Sequence, residues 1–493
     1  MKVLALRVRS ALASRPGLEW VGVAILTGAA LLLRLYRLGS QGLWFDKAYT
    51  LFIARIPAVE AWRALVVDGV HPPLFYALQK AALALGQSEF ALRLPSAVFG
   101  AAAVPLVYIL GRRWAGWGTG ALAALLLALS PFHLWTSQDA RMYSLLAALT
   151  LACMLTFDGV LRRPGLATGA AFVALSALAY LTHYFALMLP LVQLVYLAAK
   201  LRTWPRLLRL WTGLQFLAGL PLLGWVYALS LRDMQIFGIG WIPVPHPTDL
   251  IETLLNFTVG YTAPLRLWQW LGLGICMVFL ILGLRSRWGV PSAKLLVALW
   301  AFLPMVLTFL LSLRRPVYID RFLILSAPAL LILIAAGVAS LRERYALVSA
   351  ALLVALLGFS AIRFCFQPGQ AKEQWREAAA YLSRAAPDEA IIVRVLQIVV
   401  PLSIYYDGPL PQEAMEVNRV FTPLEELAVG HRGTGSVYWN ASLDAHRVAG
   451  NPPFDPAAEQ DPVAAAWLAG QQPPLLERAD FEGVTVFHFR SLP

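Results

Sequence analysis

Eleven apolar stretches, near residues 18–36, 91–110, 116–134, 142–161, 165–182, 185–199, 208–230, 267–284, 292–313, 322–340 and 345–363, occupy most of the chain before residue 364. A helix needs about 20 apolar residues to cross a bilayer, where no water can satisfy an exposed backbone. The pattern excludes a water-soluble globule, and a hydrophobic content of 59% agrees. The expected class is an α-helical polytopic membrane protein. Lys2, Arg7, Arg9 and Arg15 precede the first stretch as they would in a signal peptide. That stretch runs on to Leu35 without a small-residue cleavage site, so a retained first span is expected. Cys153, Cys276 and Cys365 make no disulfide framework, and there is no CxxC or HExxH spacing.

Loop charge orders the spans, because Lys and Arg concentrate in cytoplasmic loops. With the N-terminal cluster inside, Arg112-Arg113, Arg162-Arg163, the Lys200/Arg202/Arg206/Arg209 cluster, Arg285/Arg287 and Arg342/Arg344 also fall inside. Arg314, Arg315 and Arg321 are the exceptions and fall outside. Counting residues 72–86 as a span would invert every later loop. That segment therefore reads as a helix along the outer leaflet, and residues 37–90 as one external loop with interfacial helices, which Arg55, Trp62 and Arg63 suit. Eleven spans leave the tail outside. The net charge of +12 is split accordingly, with +19 before Phe364 and −7 from there on. Two domains are expected: a membrane domain, 1–363, and an extracytoplasmic one, 364–493. In the latter, Ala371–Ala385 reads as an amphipathic helix (Trp375, Ala379 and Leu382 on one face). Ala390–Val395, Gly435–Trp439 and Val484–Phe489 read as strands, and Pro452-Pro453, Asp455-Pro456 and Asp461-Pro462 as loop. The tail is a small α/β domain without a catalytic motif.

Before residue 364 there are only twelve acids, so chemistry that needs a carboxylate has few candidates. The expected external loops collect the unusual groups. The first holds Asp46, Lys47, Tyr49, Arg63, Asp68 and His71. The second holds His133, Asp139, Arg141 and Tyr143, and the third His183 and Tyr184. The fourth holds Trp241, His246, Asp249 and Glu252, and the fifth Arg314, Arg315, Tyr318, Asp320 and Arg321. Ionisable groups at membrane depth are costly and mark sites. Arginine forks and lysine point charges suit phosphate, aromatics suit sugar rings, and a lone carboxylate can take a proton from an attacking hydroxyl or amine.

Four elements then carry a resemblance: Leu43-Trp44-Phe45-Asp46, His71-Pro72-Pro73-Leu74-Phe75-Tyr76, Ser137-Gln138-Asp139-Ala140-Arg141-Met142-Tyr143-Ser144-Leu145 and Asp320-Arg321-Phe322-Leu323. In order and spacing they resemble the glycosyltransferase family 39-like integral membrane proteins. These have the C-type fold of the protein O-mannosyltransferases and the lipid A aminoarabinose transferase. The likeness covers roughly residues 20–365, and Gln374 to Leu382 is similar to the opening of the tail in bacterial members. It implies a C-type glycosyltransferase fold in a bacterial cytoplasmic (inner) membrane. The implied reaction moves a sugar, with inversion, from an undecaprenyl- or dolichyl-phosphate carrier to an external acceptor. Asp46 takes the role of general base. Lys47, His71, Arg141, Tyr143, Arg321 and Arg315 are candidates for holding the donor phosphate and sugar, and Asp139 is a possible second acid. The family has Glu where this chain has Lys47.

Plainer readings compete at each position. Asp46 could cap a helix beginning near Ala48, and Lys47 could snorkel to the headgroups or form an ion pair that lowers the pKa of Asp46. Asp139 could pair locally with Arg141, and Arg141 and Tyr143 could anchor a span boundary. His71 could hydrogen-bond within its loop, while His183 and Tyr184 could be interfacial anchors. Arg314 and Arg315 could meet anionic lipid headgroups. His246, Asp249 and Glu252 are too loosely spaced for a metal site, and Asp249 reads as a helix cap. No metal or other cofactor is indicated. The expected partners are a polyprenyl-phosphate-linked sugar, a lipid, glycan or protein acceptor, and membrane lipids, with no nucleic acid. The rival functions are a transporter or flippase, which would show repeats and mid-membrane charges, and a non-catalytic polyprenyl-lipid-binding protein.

Overall fold

The computed structural model describes residues 16–231, 242–260, 266–366, 374–384, 391–393, 399–408, 435–438, 475–481 and 484–489. The N-terminal basic cluster, Trp241 and the Pro452–Pro462 loop lie outside the described residues.

Helix α1 (Pro16–Leu35) leads into three short helices, α2 (Phe45–Arg55), α3 (Ala58–Asp68) and α4 (Leu74–Ala82). Then come α5 (Glu89–Ala115), α6 (Trp117–Leu129), α7 (Pro131–Ser137), α8 (Tyr143–Arg162), α9 (Leu166–Tyr180), a 3-10 turn (Tyr184–Leu187) and α10 (Met188–Ala198). Next are α11 (Pro205–Ser230), α12 (Pro247–Thr258), α13 (Leu267–Arg285), α14 (Pro291–Ser312), the 3-10 segment Asp320–Ser326, α15 (Ala327–Ala339) and α16 (Glu343–Phe366). The chain is a multi-pass membrane protein.

Among the described residues eight helices are long and apolar enough to cross a membrane, or nine if the bent pair α6–α7 counts as one span. That corrects the expectation of eleven. The two stretches that fall short are α9 and Tyr184–Ala198, each 15 residues. At 1.5 Å per residue such a helix reaches about 22 Å, less than the ~30 Å hydrocarbon core. The stretch at 72–86 forms only the nine-residue α4 and a 3-10 turn, as expected of a non-spanning element.

Helix α15 lies inside the bundle, where Gly337 meets Gly283 of α13. A Cβ on Gly337 would sit 1.9 Å from the Phe279 carbonyl oxygen, and one on Gly283 2.0 Å from that of Leu333. Small residues let the two backbones touch, as they must where dispersion rather than water drives packing. Peripheral helices show apolar side chains outward, such as Phe216 and Tyr227 of α11.

The 58° bend between α6 and α7 has a definite cause. Pro131 cannot donate a backbone hydrogen bond, which frees carbonyls at the end of α6. Arg34 of α1, fully buried, donates to the Leu127 and Ala128 carbonyls (both 3.3 Å), to Ala30 O (2.9 Å), to Ser137 Oγ (3.3 Å) and to His133 Nδ1 (2.8 Å). The arginine thus replaces the missing backbone donors.

In the tail, α17 (Trp375–Leu382) falls within the expected helix. The strands β1 (Ile391–Val393), β2 (Gly435–Tyr438) and β4 (Val484–Phe489) coincide with the three expected ones. Two elements were not foreseen, α18 (Val399–Tyr405) and β3 (Leu475–Phe481). The strands form a mixed sheet in the order β1-β2-β4-β3, with β1 and β2 parallel and the other pairs antiparallel.

The two ends of α5 differ. At one, Asp158 accepts from Arg162 (2.9 Å), Trp114 (2.9 Å) and Arg113 (3.5 Å), and Glu19 pairs with Arg112 (2.8 Å). At the other, Arg93 meets the loop before α2 and Glu89 meets Tyr405 and Arg376 of the tail.

Candidate active site beneath the first loop

The approach to α2 is fixed by Arg93, buried in α5. Its Nη1 donates to the carbonyls of Leu38 and Gln41 (both 2.8 Å) and its Nη2 to that of Gly42 (2.7 Å). The tail supplies the next link. The Leu43 N–H donates to the Tyr405 hydroxyl (2.7 Å), which donates to Glu89 (3.0 Å), and Glu89 also accepts from Arg376 of α17. Val400, Ile404 and Tyr405 pack on an apolar cluster of Leu43, Ala48, Leu51, Leu92 and Ala140. Tyr405→Phe should cost about 1 kcal/mol, read as faster amide exchange across Leu43–Phe45 with the rest of the bundle unchanged.

Helix α2 begins at Phe45, with Trp44 as its N-cap, so Asp46 stands inside the first turn and is not the cap. It is half-buried, and its carboxylate accepts no hydrogen bond among the described residues. Burial alone would push this carboxyl up. The charges of Arg141, then Arg321 and Lys47, outweigh that and hold it below the usual carboxylate range.

Arg141, in the turn between α7 and α8, is the node. Its Nη1 donates to the Asp46 carbonyl (3.3 Å) and lies 3.5 Å from both Thr50 Oγ1 and the Tyr76 hydroxyl. Its Nη2 donates to His71 Nε2 (2.6 Å), and its Nε has no partner among the described residues. His71 therefore accepts at Nε2 and carries its proton on Nδ1, which is buried and meets no acceptor among the described residues. His183 is fixed likewise: Nδ1 accepts from the Phe185 N–H (3.1 Å), so the proton is on Nε2, which is buried and also meets no acceptor among the described residues. The two rings lie 5.3 Å apart. Burial first, then Arg141 and Arg321, pushes His183 down to about 3, and burial, Arg141, His183 and Arg321 hold His71 well below its ordinary value. Both imidazoles are neutral at physiological pH and present N–H donors.

The Tyr143 ring lies 6.1 Å from His183 and 6.2 Å from Phe322, whose ring is 5.9 Å from the Arg321 guanidinium. Asp320 ties this segment to α12 through Asn256 (2.6 Å). The candidates Asp46, His71, Arg141, Tyr143 and Arg321 are thus neighbours. Lys47 and Asp139 join them as a buried ion pair (3.0 Å), with the Lys47 ammonium 3.6 Å from the centre of the Trp44 ring. Neither snorkelling by Lys47 nor a purely local role for Asp139 describes that arrangement. Arg315 stays exposed, and none of the contacts described runs through it.

His183 is in the cluster, not an interfacial anchor, although its place in the third loop marked it. Thr50, Arg93 and Tyr405 carried no signal of their own, because each acts through a partner remote in sequence. Asp249 is not the N-cap, which is His246; it stands at the third residue of α12 and accepts from the His246 N–H (3.1 Å), the returning half of a capping box. Among the described residues no three His, Cys, Asp or Glu side chains gather as metal ligands.

Residues 70–226 match the family described as dolichyl-phosphate-mannose-protein mannosyltransferase. Over that segment the chain is similar to this family of membrane glycosyltransferases. The matched segment contains His71, Arg141 and His183, while Asp46 and Lys47 precede it. Solved structures similar to this chain share its fold. ArnT from Cupriavidus metallidurans in the apo state is 17% identical with a TM-score of 0.61, over 96% of this chain and 98% of that one. The same protein bound to undecaprenyl phosphate gives 16% and 0.60, over 95% and 97%. The apo oligosaccharyltransferase of Archaeoglobus fulgidus gives 12% and 0.54, over 85% and 69%. No curated protein matches the sequence.

Proposed function

We propose that the chain is an inverting glycosyltransferase that moves a sugar from a polyprenyl-phosphate donor of the undecaprenyl type to an acceptor outside the membrane. The observation that carries this reading is a carboxylate, Asp46, that accepts no hydrogen bond among the described residues, beside three buried donors that find no acceptor among them: Arg141 Nε, His71 Nδ1–H and His183 Nε2–H. Buried donors need partners, and phosphate oxygens supply several at once. Asp46 and Asp139 against Lys47, Arg141 and Arg321 leave the site with one positive charge, which matches a phosphodiester monoanion. The likeness to a protein solved with undecaprenyl phosphate supports a lipid-linked donor.

In the reaction Asp46 takes the proton of the acceptor hydroxyl or amine as it attacks the anomeric carbon. The bond from that carbon to the phosphate oxygen breaks, and the lipid phosphate leaves with the electron pair. Arg141, His71 and His183 stabilise its growing charge, with Arg321 close by and Tyr143 against the sugar. Loop charge supports a site that opens to the extracytoplasmic side of a bacterial inner membrane. On that reading 1–363 form the membrane domain, with 37–90 as its external loop, and 364–493 the external α/β domain.

The test is purified protein with radiolabelled polyprenyl-phosphate sugars and candidate lipid, glycan and peptide acceptors. Label should move to an acceptor with release of polyprenyl phosphate. Tight donor binding with no label leaving the carrier would overturn the assignment.

A further inference from the structure

The Lys47–Asp139 pair is placed unusually for a structural ion pair. Its two residues flank the site's two main groups: Lys47 follows Asp46, and Asp139 stands two before Arg141. Both side chains are 1% exposed, at a separation of 3.0 Å. The turn that carries Asp139 is held at each of three successive residues. Asp139 is held by Lys47, Ala140 by the apolar cluster with Leu43, Ala48, Leu51 and Leu92, and Arg141 by the Asp46 carbonyl and His71.

Fastening alone does not call for charges here. Removing two ions from water costs about what their attraction returns, and apolar residues of the same volume hold as well or better. What apolar residues cannot supply is a cation and an anion next to a carboxylate.

We propose that Lys47 and Asp139 are positioning residues for Asp46: their ion pair pins the first turn of α2 to the Arg141 turn and sets opposed, mutually cancelling charges beside the base. Lys47 favours the ionised form of Asp46 and Asp139 disfavours it. The other groups facing Asp46 are Arg141 from the same turn, Arg321 from the 3-10 segment after Ile319, Tyr76 of α4 and Tyr143 at the start of α8. With the charges of the pair opposed, Arg141 and Arg321 are the foremost cations that set the protonation of the base. This rests on Asp46 acting as the base.

The experiment is the pH dependence of transfer by the full chain in detergent, for the parent, Lys47→Met, Asp139→Asn, the double variant and Asp46→Asn, with thermal melting to confirm folding. A charge within a few ångströms moves a carboxyl by about one pH unit or more. The acid limb should therefore move up by about that much in Lys47→Met and down in Asp139→Asn. In the double variant, which buries no lone charge and folds if either single variant does not, the limb should return close to the parent position. Profiles that share one midpoint and differ only in height would reduce the pair to a structural fastening and overturn the proposal. Parent-level transfer by Asp46→Asn would overturn the base assignment, and the pair's role with it. An inactive Asp46→Asn beside unshifted profiles overturns the pair alone.

Discussion

Asp46→Asn should lower kcat by about 10²- to 10⁴-fold, the range that a positioned base contributes, while the protein stays folded and still binds donor. The substitution keeps the shape of the side chain, and no hydrogen bond to the carboxylate is lost among the described residues. The cluster becomes more positive, since Arg141 and Arg321 lose a nearby anion. Donor affinity should hold or improve, so KM does not rise. A fall in kcat with an unchanged or lower KM marks a group needed only in the transition state. Initial rates with a radiolabelled polyprenyl-phosphate sugar, beside equilibrium binding of the same donor, make the measurement. Turnover near the parent value would exclude Asp46 as the base.

Arg141→Leu should be nearly as damaging, for different reasons. It removes the donor to His71 Nε2 and to the Asp46 carbonyl, and it leaves that imidazole nitrogen buried without a partner. On the proposed reading it also takes away a cation that faces the leaving phosphate, a change worth about 10²- to 10³-fold in kcat. Donor binding should weaken along with turnover, which separates this variant from Asp46→Asn. The pH profile should change as well. Arg141 is the foremost cation holding the Asp46 carboxyl low, so its loss raises that pKa. As the proposed base, Asp46 works in its ionised form. A raised pKa means that activity fails at a higher pH on acidification, while the neutral and alkaline range keeps its shape. An acid limb at the parent position in Arg141→Leu would refute this electrostatic coupling.

The parts of this molecule that could be read in its sequence are those written locally. Apolar length marks each spanning helix, and only geometry showed that α9 and Tyr184–Ala198 fall short. Asp46, His71, Arg141, Tyr143 and Arg321 stood out because each is polar or aromatic at the edge of an apolar run. What stayed hidden depends on pairing. Lys47 finds Asp139 across 92 positions, and nothing near either residue announces the other. Arg93 looks like one more cation at a helix start until three carbonyls of the 38–42 turn are found around it. His183 gained its place from ring contacts with His71 and Phe322, which come from opposite sides of it in the chain.

The bond between Leu43 and Tyr405 joins residues 362 positions apart. At about 5–20 residues per second, the ribosome spends roughly 20 to 70 s between making one and the other. For all of that time the peptide that leads into Asp46 can be held by Arg93 but lacks its second fastening, the Tyr405 hydroxyl. Activity is therefore expected to appear late and all at once, when the last quarter of the polypeptide docks. A nascent chain that stalls before α18 would hold its spans but not a fully fastened first loop.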